Sequence, residues 1–192
     1  MSVFGTGIAL VCIVGGLVVA LLAIAAYYYN RIVVLSNRID NAWSQIDVQL
    51  KKRTDLVPNL VETVKGYMKH EKDAIKMVTQ ARENMMKAGN VDEKMKAHGQ
   101  LSAALKTVFA IAENYPQLRA SENFRLLQEQ LEGIESKIAY ARQFYNDSVL
   151  GYNNIISTIP GVWFAGFMGK TSRKYFEIEE NERKPVKVNF GA

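Results

Sequence analysis

The chain has 192 residues, with 24 Lys and Arg against 19 Asp and Glu, which gives a formal net charge of +5. A hydrophobic content of 48% with 22% charged residues is typical of a globular domain and excludes a disordered or collagen-like chain. The single cysteine, Cys12, excludes an intrachain disulfide, a cysteine-based zinc site and a CxxC redox pair. Four prolines and a middle region rich in strong helix formers predict an all-α fold.

The first element in chain order is an apolar run from Ile8 to Tyr29 that contains no charged residue. About 20 helical residues cross the hydrocarbon core of a bilayer, so residues 1–29 are predicted to form a short tail and a transmembrane anchor. A cleaved signal peptide is disfavoured because no Lys or Arg precedes the run and its end lacks a small-residue cleavage site. The predicted interfacial residues, an aromatic belt followed by one cation, are Tyr27, Tyr28, Tyr29 and Arg31.

Positive charge follows this predicted span and does not precede it. Arg31, Arg38 and a basic cluster at residues 51–53 lie on its C-terminal side, whereas the N-terminal flank has only the terminal amine. The positive-inside rule therefore predicts a single-pass protein with its N-terminus outside and its body in the cytoplasm.

The body, residues 30–158, is predicted to be a series of helices. Apolar residues recur at helical spacing over Leu35–Met68, Ile75–Met85, Val91–Ala112 and Phe124–Tyr152. The last stripe alternates steps of three and four residues over four heptads, which is typical of a coiled-coil seam. These stripes predict an antiparallel up-and-down four-helix bundle in which the chain reverses near Gly66 to Lys72. One continuous helix through that segment is the alternative, because the segment contains a single strong helix breaker.

Residues 159–176 form an aromatic amphipathic segment that is too short to cross a bilayer. Its rings either cap the open end of the bundle or insert into the membrane interface with the basic residues on lipid headgroups. The predicted leg lengths return this segment to the level of the tyrosines, which favours the interface. The residues concerned are Trp163, Phe164, Phe167, Lys170, Arg173 and Lys174. Residues 177–192 are predicted to be a tail with a short helical turn and an extended end.

No pattern of side chains predicts catalysis. The sequence lacks GxSxG, a Gly-rich phosphate loop, HExxH and the Glu-x-x-His pairs of di-metal bundles. We interpret His70 and His98 as structural or surface histidines. The sequence predicts no cofactor and no metal site, and a charge of +5 spread over the chain argues against nucleic-acid binding.

Two groups of residues are candidates for an oligomer or partner surface. Four lysines would share one helix face if the helix were continuous, and two methionines could form an adaptable docking surface. A solvated face and core filling are the alternative interpretations. The residues are Lys65, Lys69, Lys72, Lys76, Met85 and Met86.

Two long stretches of the sequence resemble a known family. NRIDNAWSQIDVQLKKRTDLVPNLVETVKGYMKHE (Asn37 to Glu71) and NYPQLRASENFRLLQEQLEGIESKIAYARQFYNDSVLGYN (Asn114 to Asn153) closely resemble the LemA family of bacterial membrane proteins. The resemblance extends from the N-terminal span to KVNF at Lys187 to Phe190. It implies a single-pass protein of the bacterial cytoplasmic (inner) membrane with a helical-bundle body, and it offers no catalytic residue.

The resemblance also suggests roles. A magnetosome-membrane protein is similar to this family, which suggests membrane organisation, and family members are often encoded near HtpX-like membrane proteases. We predict a non-enzymatic, membrane-anchored helical scaffold or assembly protein that acts by homo-oligomerisation and by contacts with the lipid bilayer or a membrane protein. The alternatives are an adaptor of a membrane protease such as an HtpX-like protease, and an enzyme with a cryptic site between the helices.

Overall fold

A computed structural model describes residues 2–177, and these residues form six helices. The first helix, α1, runs without interruption over Ser2–Lys65 and includes Pro58. The predicted span therefore continues directly into the first helix of the body. One part of this helix is long and apolar enough to cross a membrane, and none of that part is buried against the rest of the chain.

The other helices follow in the predicted order. They are α2 (Lys72–Lys87), α3 (Val91–Ala112), α4 (Pro116–Arg119), α5 (Glu122–Ser157) and α6 (Gly161–Phe167). The described residues contain no strand, so the all-α fold is confirmed for them. The short helices α4 and α6 were not predicted, because one or two turns are too short to show helical periodicity.

The alternative of a continuous helix through residues 66–71 is wrong. α1 ends at Lys65, and the amide N–H groups of Tyr67 and Met68 donate to the Val64 carbonyl at 3.0 and 2.8 Å. The Arg82 guanidinium on α2 then donates to the Thr54 carbonyl on α1 at 3.3 Å, so the chain has turned back along α1.

Two side-chain hydrogen bonds at its N-terminus explain where α3 begins. The Asn90 side chain accepts a hydrogen bond from the Glu93 amide at 2.9 Å, and the Glu93 carboxylate accepts one from the Gly89 amide at 2.8 Å. This reciprocal arrangement satisfies amide groups that the first turn of a helix leaves without partners.

The described chain divides into two compact units, and α1 and α5 contribute to both. The second unit contains Trp43–Gln143 and Phe176. Four helical segments of this unit, from α1, α2, α3 and α5, share one hydrophobic core with Leu118 of α4. Its members are Val57, Leu60, Val64, Met68, Ala74, Val78, Ala81, Leu101, Ala104, Leu105, Val108, Ala112, Leu118, Phe124 and Leu131.

The first unit contains the described residues up to Ala42 and Phe144–Tyr175. Its buried residues recur at three- and four-residue spacing on α1 and α5, which is the spacing of one helix face. They include Ile32, Leu35, Ile39, Tyr145, Val149, Tyr152 and Ile156. A Cβ added at Gly151 of α5 would lie 3.8 Å from Leu35 of α1, so the two helices are in ordinary van der Waals contact there.

The predicted domain boundaries stay predictions, as does the up-and-down order of a complete four-helix bundle. The predicted boundary after residue 29 falls inside α1, and the boundary at 158–159 falls between α5 and α6. The predicted turn and extended end of the tail fall almost entirely on residues 178–192, which lie outside the described residues.

Candidate membrane-interface site

The aromatic segment lies against the end of the apolar part of α1. The ring of Phe164 stacks on the ring of Tyr28, with centroids 5.4 Å apart and planes inclined by 10°. Tyr28 in turn meets Tyr27 edge-on, at 5.3 Å and 84°. Stacked and edge-on aromatic pairs stabilise beyond the area they bury, so these contacts fix α6 beside the predicted aromatic belt.

α6 has one inner face and one outer face. Gly161 and Ala165 are buried and Phe164 is half-buried, whereas Trp163 is 60% exposed and Phe167 is 92% exposed. Ile159, four residues before Trp163, is also exposed. Trp163 and Phe167 are spaced four apart within α6, so the outer face of the helix presents two large apolar side chains, and Ile159 is exposed just before the helix begins.

A close approach of two backbones explains the glycine at the start of α6. A Cβ added at Gly161 would lie 2.0 Å from the carbonyl oxygen of Ile155, a separation that no side chain tolerates. The absence of a side chain therefore lets α6 begin directly against the last turns of α5.

A glycine also ends α6. Gly169 has φ = +62°, the left-handed conformation that glycine adopts without strain. The Gly169 amide donates to the Gly166 carbonyl at 3.1 Å and the Lys170 amide to the Ala165 carbonyl at 2.9 Å. This pair of bonds is the Schellman motif, and it sets the direction in which the basic segment leaves the helix.

The basic segment, residues 170–174, is attached to α5 by its backbone. Asn153 makes two hydrogen bonds with the Arg173 backbone, accepting from the amide and donating to the carbonyl, both at 2.9 Å. The Tyr145 hydroxyl donates to the Lys174 carbonyl at 3.2 Å. The Arg173 guanidinium lies 3.7 Å from the Asp40 carboxylate, a loose and exposed ion pair.

These contacts place every predicted interfacial residue in the first unit. Tyr28, Phe164 and Lys170 are half-buried. The exposed members of the set are Tyr27, Tyr29, Arg31, Trp163, Phe167, Arg173 and Lys174. The interfacial role itself stays a prediction.

The predicted partner residues do not form one surface. The break after Lys65 removes the shared helix face, and only Lys72 and Lys76, four residues apart on α2, keep it. Lys76 lines a groove of about 520 Å³ between α2 and α3. Met85 is buried in the second unit, so of the two methionines only Met86 is exposed; Lys65, Lys69, Lys72 and Lys76 are all exposed.

Sequence reasoning missed a buried arginine in the second unit. The sequence places Arg53 in a basic cluster with Lys51 and Lys52, but Arg53 is only 5% exposed. Its guanidinium lies 2.6 Å from the Glu135 carboxylate on α5 and donates to the Ser102 hydroxyl at 2.8 Å. Helical spacing could have identified it, because Arg53 lies three residues after Leu50 and four before Val57, on the buried face of α1.

His98 completes this cluster. Its Nδ1 lies 3.2 Å from the Arg53 guanidinium, and because a guanidinium can only donate, a hydrogen bond between them requires an unprotonated Nδ1. Burial, followed by the charges of Arg53, Arg142 and Lys106, lowers the pKa of His98 to about 3. The ring of Phe176 meets His98 edge-on at 5.9 Å and lies 5.8 Å from the Arg142 guanidinium. Among the described residues, no three His, Cys, Asp or Glu side chains are grouped as a metal site would require.

Comparison with known proteins gives consistent matches. A family model described as the LemA family matches residues 42–190. The chain is similar to magnetosome protein MamQ 2 of Paramagnetospirillum magneticum, at 24% identity over 88% of this chain and 72% of that protein. It is similar to magnetosome protein MamQ of Magnetospirillum gryphiswaldense, at 22% identity over 82% and 68% of the two chains. It is also similar to protein LemA of Metamycoplasma hominis, at 24% identity over 86% and 79%.

Proposed function

We propose that this chain, which belongs to the LemA family, is a non-enzymatic helical scaffold or assembly protein anchored in the bacterial cytoplasmic membrane. It acts by self-association and by contacts with the bilayer and with other membrane components. The relatives magnetosome protein MamQ 2 and protein LemA support the non-enzymatic part of the proposal, because neither name describes an enzyme.

The observation that carries this proposal is the continuity of α1. One helix contains the stretch that is apolar enough to cross a membrane, and the same helix supplies Val57, Leu60 and Val64 to the core of the second unit. The anchor and the core therefore share one helix with no loop between them. A direct connection of this kind suits a protein that arranges other components at a membrane.

The state of the buried polar groups supports a structural role over catalysis. Arg53 is engaged with Glu135, Ser102 and His98 inside the second unit. A general base must be able to take a proton near the working pH, and a histidine with a pKa of about 3 does so poorly.

The proposed orientation places the N-terminus outside and the body in the cytoplasm. It is supported by the positive charges that follow the apolar stretch, of which Arg31 and Arg38 are exposed. Arg38 also lies 4.8 Å from the ring centroid of Phe144 on α5.

Self-association follows from tethering and from exposed apolar side chains. Anchors hold copies in one plane and one orientation, which raises the effective concentration of like surfaces. Tyr140 and Leu150, both on α5, are large apolar residues that remain exposed within one copy. We infer that surfaces of this kind are covered by further copies or by partner proteins.

The test is the mass of the full-length protein in lipid nanodiscs over a wide range of protein-to-disc ratios. The proposal predicts species larger than one copy that persist at the lowest ratio. A monomer at every ratio overturns self-association. Metal analysis of the same sample is the second measurement, because a transition metal bound in a fixed ratio to protein would favour the enzyme alternative.

A further inference from the structure

We propose that α6 and the basic segment together form a preorganised binding surface for anionic phospholipids, a second membrane contact besides the transmembrane anchor. Trp163 and Phe167 on the outer face of α6, with Ile159 just before the helix, insert into the interfacial region, and the basic segment lies over the headgroups. The inference rests on the proposed membrane anchoring and adds a lipid class to it.

The apolar half of this surface is held in place before any lipid arrives. Phe164 stacks on Tyr28, and the missing side chain at Gly161 lets the helix lie close to α5. These inward contacts leave Trp163 and Phe167 on the opposite face, exposed. Of the three aromatic residues of α6, Phe164 therefore attaches the helix, while Trp163 and Phe167 remain available for insertion together with the exposed Ile159.

The charged half is held in place as well. The two hydrogen bonds from Asn153 and the one from Tyr145 fix the backbone of residues 173 and 174, while the Arg173 and Lys174 side chains remain exposed. Residues 159–176 contain three cations and no acidic residue. Each cation near an anionic membrane strengthens attraction about fivefold, so a fixed group of three favours anionic over zwitterionic lipid.

The position of the surface favours a bilayer over a protein partner. α6 lies beside Tyr28 through the Phe164 ring, and Tyr28 is one of three consecutive tyrosines at the end of the stretch that is apolar enough to cross a membrane. Interfacial segments combine large apolar side chains on one face with Lys and Arg beside them, and α6 with the basic segment has this composition. A second copy of the chain is the competing occupant, and the experiment distinguishes the two.

The experiment uses the full-length protein in nanodiscs that contain brominated lipid, which quenches tryptophan on contact. Trp43→Phe leaves Trp163 as the sole tryptophan, and Trp163→Phe leaves Trp43, which lies about 22 Å further along α1 than Tyr28. We expect Trp163 to be quenched several times more strongly than Trp43, with emission shifted to the blue. Equal quenching of the two tryptophans overturns the proposal.

The lipid class is tested by adding phosphatidylglycerol to phosphatidylcholine discs. We expect quenching of Trp163 to rise with phosphatidylglycerol, and Lys170→Gln with Lys174→Gln to abolish that rise. The matched control, Lys96→Gln with Lys137→Gln, also removes two exposed lysines and should retain it. If quenching of Trp163 does not change with phosphatidylglycerol content, the anionic preference is wrong. If Trp163 is protected from quenching only when oligomers form, the surface binds a second copy of the chain. The nanodisc mass is independent of these readouts, so failure here is distinguishable from failure of the proposed scaffold.

Discussion

Removing either partner of the Arg53–Glu135 ion pair should have unequal effects on stability. Arg53 has a side chain that is 6% exposed, whereas the side chain of Glu135 is 44% exposed. Glu135→Gln removes the carboxylate that lies 2.6 Å from the buried guanidinium, while the contacts of the guanidinium with Ser102 and His98 remain. Arg53→Met removes the buried positive charge and leaves a glutamate whose Oε2 atom is buried but whose side chain as a whole is 44% exposed.

The magnitudes follow from these exposures. Breaking a buried ion pair by removing one partner costs about 3–5 kcal/mol, and we take about 3 kcal/mol for Glu135→Gln because water reaches this pair from one side. Arg53→Met loses the hydrogen bond to Ser102 and the contact with His98, and the glutamate that it leaves is partly exposed, so about 1–2 kcal/mol is expected. The double variant should therefore be more stable than Glu135→Gln alone by about 1–2 kcal/mol.

The assay is equilibrium unfolding of the full-length protein in micelles. Urea is the denaturant, because guanidinium salts screen the charges under test. The Trp163→Phe background leaves Trp43 as the reporter, and Trp43 lies in the second unit, 6.3 Å from the ring of Phe176. Glu129→Gln is the matched control, since it breaks an exposed ion pair with Arg125 on the same helix and should cost at most about 0.5 kcal/mol.

Either of two results would refute this reasoning. If the double variant is less stable than Glu135→Gln, then the guanidinium is stabilising even without its carboxylate, and desolvation of the charge does not govern the site. A cost for Glu135→Gln no larger than that for Glu129→Gln would show that water reaches Arg53 as freely as it reaches the surface pair.

Two further predictions concern His98 and Gly161. Because the folded pKa of His98 is about 3 and the unfolded value is 6.5, the unfolded chain binds more protons between these limits, and stability is lost as pH falls below 6.5. His98→Asn keeps an acceptor near the Nδ1 position but does not titrate. Between pH 7 and pH 5 the free energy of unfolding in urea should therefore fall by about 2 kcal/mol less in this variant than in the wild type. Equal decreases in the two proteins would contradict a buried neutral ring. Gly161→Ala should displace α6, so that the region around Tyr28 becomes accessible to solvent and its hydrogen exchange becomes faster. Gly151→Ala should have no such effect, because the nearest neighbour of its added Cβ lies at 3.8 Å. Equal exchange rates in the two variants would argue against the close backbone contact at Gly161.

The sequence by itself determined the elements whose physical basis is local. An uncharged apolar run of transmembrane length, regular three- and four-residue spacing and Gly–Asn punctuation before Val91 predicted the long α1, α2, α3 and α5 in their observed order. The turn after Lys65 was less certain, because Gly66 alone does not require a break. The packing of α2 back onto α1 determines that the chain turns there.

The inner and outer faces of α6 could not be assigned from the sequence. Trp163, Phe164 and Phe167 are alike in hydrophobicity, and a helix of seven residues has too few turns to define a buried stripe. Only the approach of Tyr28 and the carbonyl of Ile155 separates the ring that packs inward from the two that remain exposed.

The burial of Arg53 shows most clearly which features the sequence determines and which depend on the tertiary structure. Its position at helical spacing between Leu50 and Val57 was visible in the sequence, but its neighbours Lys51 and Lys52 suggested an exposed basic face. A buried charge requires partners from distant parts of the chain, here Glu135 and Ser102, which lie 82 and 49 residues away in sequence. Local pattern can predict which face of a helix is turned inward, whereas the compensation of a buried charge depends on which other helices meet that face, and only the tertiary structure decides this.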